Sequence, residues 1–187
     1  VVWQRNLRQD LLDWIEQLAF PELPYLQVLV RPGDVSNALE PLLEQCGLYE
    51  SHLRELLVGD ISDLTYMFSE ITESERVDLR LERIDHDACW RFHKDVVEAR
   101  LVTTYLGPAT EWVDPAFSEE AINEQKNFRG PVKQFNVGDV AIFKGKSANH
   151  GSGIVHRSPP IKGTGNTRLF LCLNKQTEIS PEPWDAI

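Results

Sequence analysis

Val77-Asp78-Leu79-Arg80-Leu81-Glu82-Arg83-Ile84 alternates apolar and charged residues over its first six positions. Successive side chains of a strand point to opposite faces, so this stretch reads as a β-strand with one buried face. Working outward, further short strands are expected at residues 100–106, 110–113, 132–136, 140–144, 153–156 and 168–173, with Gly, Pro and Asn in the gaps between them. Six or seven short strands in succession point to an all-β sandwich or a closed barrel.

Upstream of Val77 the period changes. Leu7, Leu11, Leu12, Ile15 and Leu18 recur at spacings of three and four, the pattern of an amphipathic helix that Pro21 and Pro24 end. Asp34 or Ser36 caps a second helix reaching about Cys46, where Gly47 supplies a stop. A third helix is expected over residues 51–67, with Gly59 as a place where it can split. The polar segment 115–130 reads as a mobile loop. The expected organisation is a single domain, mainly β, with a helical N-terminal layer (1–75), a β-barrel core (76–175) and a C-terminal tail (176–187).

Composition narrows the function classes. The net charge of -10 argues against a nucleic-acid partner and against an anionic membrane surface. No apolar run approaches the roughly 20 residues of a membrane-spanning helix. Three cysteines, Cys46, Cys89 and Cys172, without a C-x-x-C pair, suggest a reducing compartment, and a cytoplasmic location is expected. The chain opens at Val1 with neither Met nor a signal-like segment, so its natural start can lie further upstream.

The strongest chemical signal is Phe92-His93-Lys94-Asp95. On a strand, His93 and Asp95 share a face, and imidazole beside carboxylate is a chelating arrangement. His156 closes the later apolar stretch Gly153-Ile154-Val155. A His-x-Asp followed by a distal His is the spacing of the two-His-one-carboxylate triad, which holds Fe(II) on one face and leaves other positions open. Arg168 opens a late strand, where a guanidinium can grip a carboxylate with two hydrogen bonds or simply cap the strand edge. Cys89, four residues before His93, would share its face on a strand, and a thiolate ligand would favour zinc; free cysteines are more often small buried hydrophobes. His86 and His150 read as surface or loop histidines. Trp90 and Trp112 can line a substrate pocket or belong to the core.

These stretches resemble the Fe(II)/2-oxoglutarate-dependent dioxygenases, the prolyl-hydroxylase branch above all. The resemblance runs through His93-x-Asp95, the strand Arg100 to Leu106 with Gly107-Pro108-Ala109-Thr110-Glu111-Trp112, and Gly138-Asp139-Val140-Ala141-Ile142-Phe143. More closely, Cys89-Trp90-Arg91-Phe92-His93-Lys94-Asp95, Thr104 to Trp112 and His156-Arg157-Ser158-Pro159-Pro160 resemble the uncharacterised bacterial family DUF1826. The resemblance implies a double-stranded β-helix (jelly-roll, cupin-like) barrel in which His93, Asp95 and His156 ligate the metal. It further implies that Arg168 pairs with the far carboxylate of 2-oxoglutarate, with Arg157 as the alternative, and that Tyr105 or Thr103 hydrogen-bonds to it.

Two functions are therefore expected in competition. One is an Fe(II)/2-oxoglutarate oxygenase acting on a substrate the sequence does not name, with a small-molecule cosubstrate and neither nucleic acid nor membrane as partner. The other is a cupin-like metalloprotein that binds zinc or another divalent ion for handling or sensing. A vestigial site that only binds a partner is the third.

Overall fold

The computed structural model describes residues 1–145 and 153–185. Its centre is a six-stranded antiparallel sheet whose middle strands are the expected ones. These are β3 (Val77–Ile84), β4 (Ala99–Leu106), β7 (Val140–Lys144) and β9 (Arg168–Lys175). Two further strands complete its edges, β1 (Val2–Trp3) beside β7 and β2 (Leu26–Val30) beside β3, in the order β1-β7-β4-β9-β3-β2. Both come from the stretch expected to be a helical layer, and a five-residue stretch such as Leu26–Val30, apolar apart from Gln27, is too short to separate strand from helix by period. A second antiparallel sheet holds β5 (Glu111–Trp112), β6 (Lys133–Gln134) and β8 (His156–Arg157) in the order β6-β5-β8.

The two sheets face one another and no hydrogen-bonded ladder among the described residues closes them into a barrel. That corrects the expected closed barrel. What joins the sheets is side-chain packing: Val102, Ala141, Phe143 and Cys172 from the large sheet meet Phe135 and Ile154 from beside the small one. Residues of alternate parity on the large sheet point the other way. Leu79, Leu81, Leu101, Leu169, Leu171 and Leu173 pack with the helices in the main hydrophobic core. Each such buried leucine contributes on the order of 1.5–3 kcal/mol.

The helical cover consists of α1 (Gln9–Gln17), α2 (Val35–Gln45) and α3 (His52–Thr72). The Ser51 hydroxyl accepts a hydrogen bond from Arg54 N at 3.2 Å and caps α3. The helix runs unbroken through Gly59, the place where it could have split. Residues 115–130, expected as a loop, contain α4 (Ser118–Glu124) and short 3₁₀ turns on either side. Its Ala121 packs with Phe92, Val113, Phe128 and Val155 on the outer face of the small sheet. The layers therefore run helices, large sheet, small sheet, α4. The tail returns to the large sheet, with Trp184 N donating to Leu29 O at 2.8 Å.

Gly107, with φ at 77°, ends β4 directly against β9: an added Cβ would lie 2.0 Å from the Thr167 carbonyl oxygen. Gly107→Ala should therefore destabilise the protein by at least about 1–3 kcal/mol, since it combines left-handed strain with a backbone clash. Urea denaturation checks this, and an unchanged midpoint would contradict the close approach.

Candidate metal centre

The site grows from one backbone contact. His93 and His156 form an antiparallel bridge, each N–H donating to the other's carbonyl at 3.0 Å. Paired residues in such a bridge direct their side chains to the same face. Here that face is the interior, because the neighbours Phe92 and Val155 belong to the outer cluster under α4. Asp95, two residues beyond His93 and 6% exposed, returns to the same side. One nitrogen from each imidazole and one oxygen from the carboxylate all lie within 4.8 Å of one another.

The hydrogen bonds around these groups fix their roles. His93 Nδ1 lies 2.7 Å from the Arg91 carbonyl oxygen, and His156 Nδ1 lies 3.1 Å from that of Ile154. A carbonyl only accepts, so each Nδ1 carries the proton and each Nε2 presents its lone pair to the interior. Nε2 of His156 is 3.4 Å from Asp95 Oδ2, and Nε2 of His93 is 3.8 Å from Asp95 Oδ1. Asp95 Oδ2 is buried without a hydrogen-bond partner among the described residues. Burial pushes the His156 imidazole below its usual pKa, against the pull of Asp95 and with the help of His93. The neutral form, which is the ligating one, is thereby favoured. Two imidazoles with Nε2 turned inward and one carboxylate with an unspent buried oxygen suit a divalent first-row cation.

A cavity of about 70 Å³ adjoins the triad, walled by Glu82, Cys89, Thr110, Ser158 and Phe170 together with His93, His156 and Arg100. Arg168 lies behind this wall, on the inward parity of β9 shared with Phe170 and Cys172, and is fully buried. Its Nη1 donates to Ser158 Oγ at 2.8 Å, while Nε and Nη2 have no hydrogen-bond partner among the described residues. Those two nitrogens form one edge of the guanidinium fork, the edge that receives a carboxylate with two hydrogen bonds. Burial lowers the Arg168 pKa to about 10. No carboxylate among the described residues pairs with it. Its ring neighbour is Phe170, 5.0 Å from the guanidinium carbon.

The remaining expected site residues fall elsewhere. Tyr105 and Thr103 share the parity of Leu101 and face the helices rather than the cavity, which corrects their expected contact with a cosubstrate. The Tyr105 hydroxyl donates to Asp60 on α3 at 2.6 Å, and Arg5 grips the same carboxylate. Arg157 turns outward, bonded to Glu111 Oε2 at 2.6 Å and laid over the Phe92 ring, so it cannot replace Arg168. Cys89 is in a turn with φ at 48°, not on a strand, and it stands outside the three-residue cluster while lining the cavity. Trp112 is paired with His156 across β5 and β8 and stacks on Phe135 at 6.1 Å. Trp90 carries Lys126 over its ring, and His86 is exposed beside Asp85. His150 lies outside the described residues.

Sequence reasoning missed Arg100 and Ser158. Arg100 Nη1 donates to Asp95 Oδ1 at 2.5 Å, and Ser158 accepts the one hydrogen bond that Arg168 donates from its side chain among the described residues. Strand parity could have found both: Ser158 is two residues after His156, and Arg100 shares the parity of Val102, which packs between the sheets.

The model of a family described as "Protein of unknown function (DUF1826)" matches residues 1–174. No curated protein matches the chain. Among the described residues, no helix is long and apolar enough to cross a membrane.

His93 is about one third exposed, so its removal costs little packing. His93→Ala should leave the thermal midpoint nearly unchanged and abolish the binding of Mn(II) or Co(II) measured by calorimetry. Unaltered affinity in the variant would dismiss His93 as a ligand.

Proposed function

We propose that this chain, which belongs to the DUF1826 family, is an Fe(II)- and 2-oxoglutarate-dependent oxygenase. The observation that carries the reading is the pairing of a three-residue ligand cluster with a fully buried arginine whose carboxylate-binding edge is unfilled. A buried guanidinium without an anion is costly, and metal binding alone gives no reason to keep one behind the same cavity. A small acid that reached both the metal and Arg168 would remove that cost.

When bound, Fe(II) supplies the redox chemistry of oxygen activation, with 2-oxoglutarate as the electron donor. The protein's own part is binding and orientation. His93 Nε2, Asp95 Oδ2 and His156 Nε2 would hold the metal, their tautomers set by the Arg91 and Ile154 carbonyls. Arg168, braced by Ser158, would receive the far carboxylate of the cosubstrate. Phe143, stacked on the His156 ring at 4.7 Å, and Phe170 keep this part of the interior apolar and strengthen both charged contacts.

The path of the chain supports the same reading. From β3 onward the chain passes from the large sheet to the His93 bridge at the small sheet, then to β4 in the large one. It continues through β5 and β6 in the small sheet, β7 in the large, β8 in the small and β9 in the large. Threading of this kind between two facing sheets belongs to jelly rolls and cupins.

Cys89 on the cavity wall favours a second reading, a zinc-binding metalloprotein without oxygenase activity. The two separate on Arg168. In an oxygenase, Arg168→Ala weakens 2-oxoglutarate binding to the metal-loaded protein by about 2–5 kcal/mol, the range for losing one partner of a buried charged pair. Metal affinity stays the same. Calorimetry on Mn(II)-loaded, oxygen-free protein measures both, and wild-type protein that binds Mn(II) but ignores 2-oxoglutarate would decide for the metalloprotein.

A further inference from the structure

The two oxygens of Asp95 sit in different surroundings. Oδ1 accepts the 2.5 Å hydrogen bond from Arg100 Nη1, whereas Oδ2 is buried without a hydrogen-bond partner among the described residues, 3.4 Å from His156 Nε2. Arg100 is itself anchored, its Nε donating to Asn174 Oδ1 at 2.7 Å. Asn174 is only 4% exposed and lies directly across from Arg100 in the β4–β9 ladder. The guanidinium is thus tied at one end to the sheet and at the other to one oxygen of the ligand carboxylate.

We propose that Arg100 is a positioning residue that restricts Asp95 to ligation through Oδ2 alone and so keeps one further coordination position free. The inference rests on the triad being a metal centre. A carboxylate free to use both oxygens would close around a divalent cation and occupy two positions. The charge-assisted bond to Arg100 makes Oδ1 the poorer donor and holds the carboxylate plane in place. A chelating 2-oxo acid needs two neighbouring positions, so the freedom that Arg100 denies to Asp95 is room that the acid requires. Arg100 also offsets the Asp95 charge and so makes the loaded site more positive and more attractive to an anion. The geometry gives Arg100 no role in gripping the metal itself.

Co(II) reports its own coordination number through its visible absorption, which makes it the probe. Wild type, Arg100→Gln and Arg100→Lys are loaded with Co(II) without oxygen, and 2-oxoglutarate is then titrated in. The expected result for Arg100→Gln is Co(II) affinity within about ten-fold of wild type, a visible spectrum moved towards higher coordination number, and 2-oxoglutarate affinity reduced by about ten-fold or more. Arg100→Lys restores the spectrum, because an ammonium can still engage Oδ1. An unchanged Arg100→Gln spectrum overturns the proposal. So does a loss of Co(II) affinity beyond about ten-fold, which would make Arg100 a support for the ligand rather than a limit on it. Should Arg100→Gln fail to fold, Asn174→Ala, which releases the Nε end of Arg100, is judged on the same spectrum. Failure of the triad reading looks different: wild type then takes up no Co(II), or takes it up as well with His93→Ala, and both ideas fall together.

Discussion

Two backbone hydrogen bonds between His93 and His156, each 3.0 Å, are the contact on which the site depends. They join the segment after β3 to β8, which is 63 residues further along by numbering, and they place two imidazoles on one face with ring centroids 4.6 Å apart. No side-chain attraction is needed for that convergence, since the pairing of the backbones imposes it. The same bridge returns Asp95 to the interior and turns Phe92 and Val155 towards α4. One local pairing thereby separates a polar inner face from an apolar outer one.

The large sheet makes a comparable division through β9. Leu169, Leu171 and Leu173 go to the helices, whereas Arg168, Phe170 and Cys172 go to the space between the sheets. Burial drives the first set. The second includes a guanidinium with no exposure and two nitrogens without a hydrogen-bond partner among the described residues, a position that packing alone does not favour. Polar groups on the helix side are spent differently. Tyr105, Arg5 and Asp60 satisfy one another and fasten α3 to the sheet and to the N-terminal segment. Chemistry and fastening therefore occupy opposite faces of the same sheet, and β4 contributes to both through Arg100 and Tyr105.

Hydrogen-bond partners around the triad shape what it can hold. Carbonyl oxygens fix both histidine tautomers, and Arg100 takes one of the two Asp95 oxygens. Both histidines border one small cavity, and the wall of that cavity also contains Ser158, the brace of Arg168. The reading of an anion-accepting metal centre follows from these unspent atoms more than from the identity of the three ligands.

Local pattern was enough to identify β3, β4, β7 and β9, the three principal helices and the His93–Asp95 pair. Each is expressed in a period of two or of 3.6 residues, or in an i, i+2 spacing, which a chain carries within itself. Leu26–Val30 escaped because four apolar residues around Gln27 express neither period distinctly, and α4 because its short polar run is stabilised by packing Ala121 against residues far along the chain. Spacing could bring His156 to His93 only as an expectation, since the bridge between them is a contact between distant segments. Which face Tyr105, Thr103 and Arg157 present was likewise beyond local pattern. A strand says that its neighbours alternate, and only the layers packed on either side decide which alternate faces helices, solvent or metal centre.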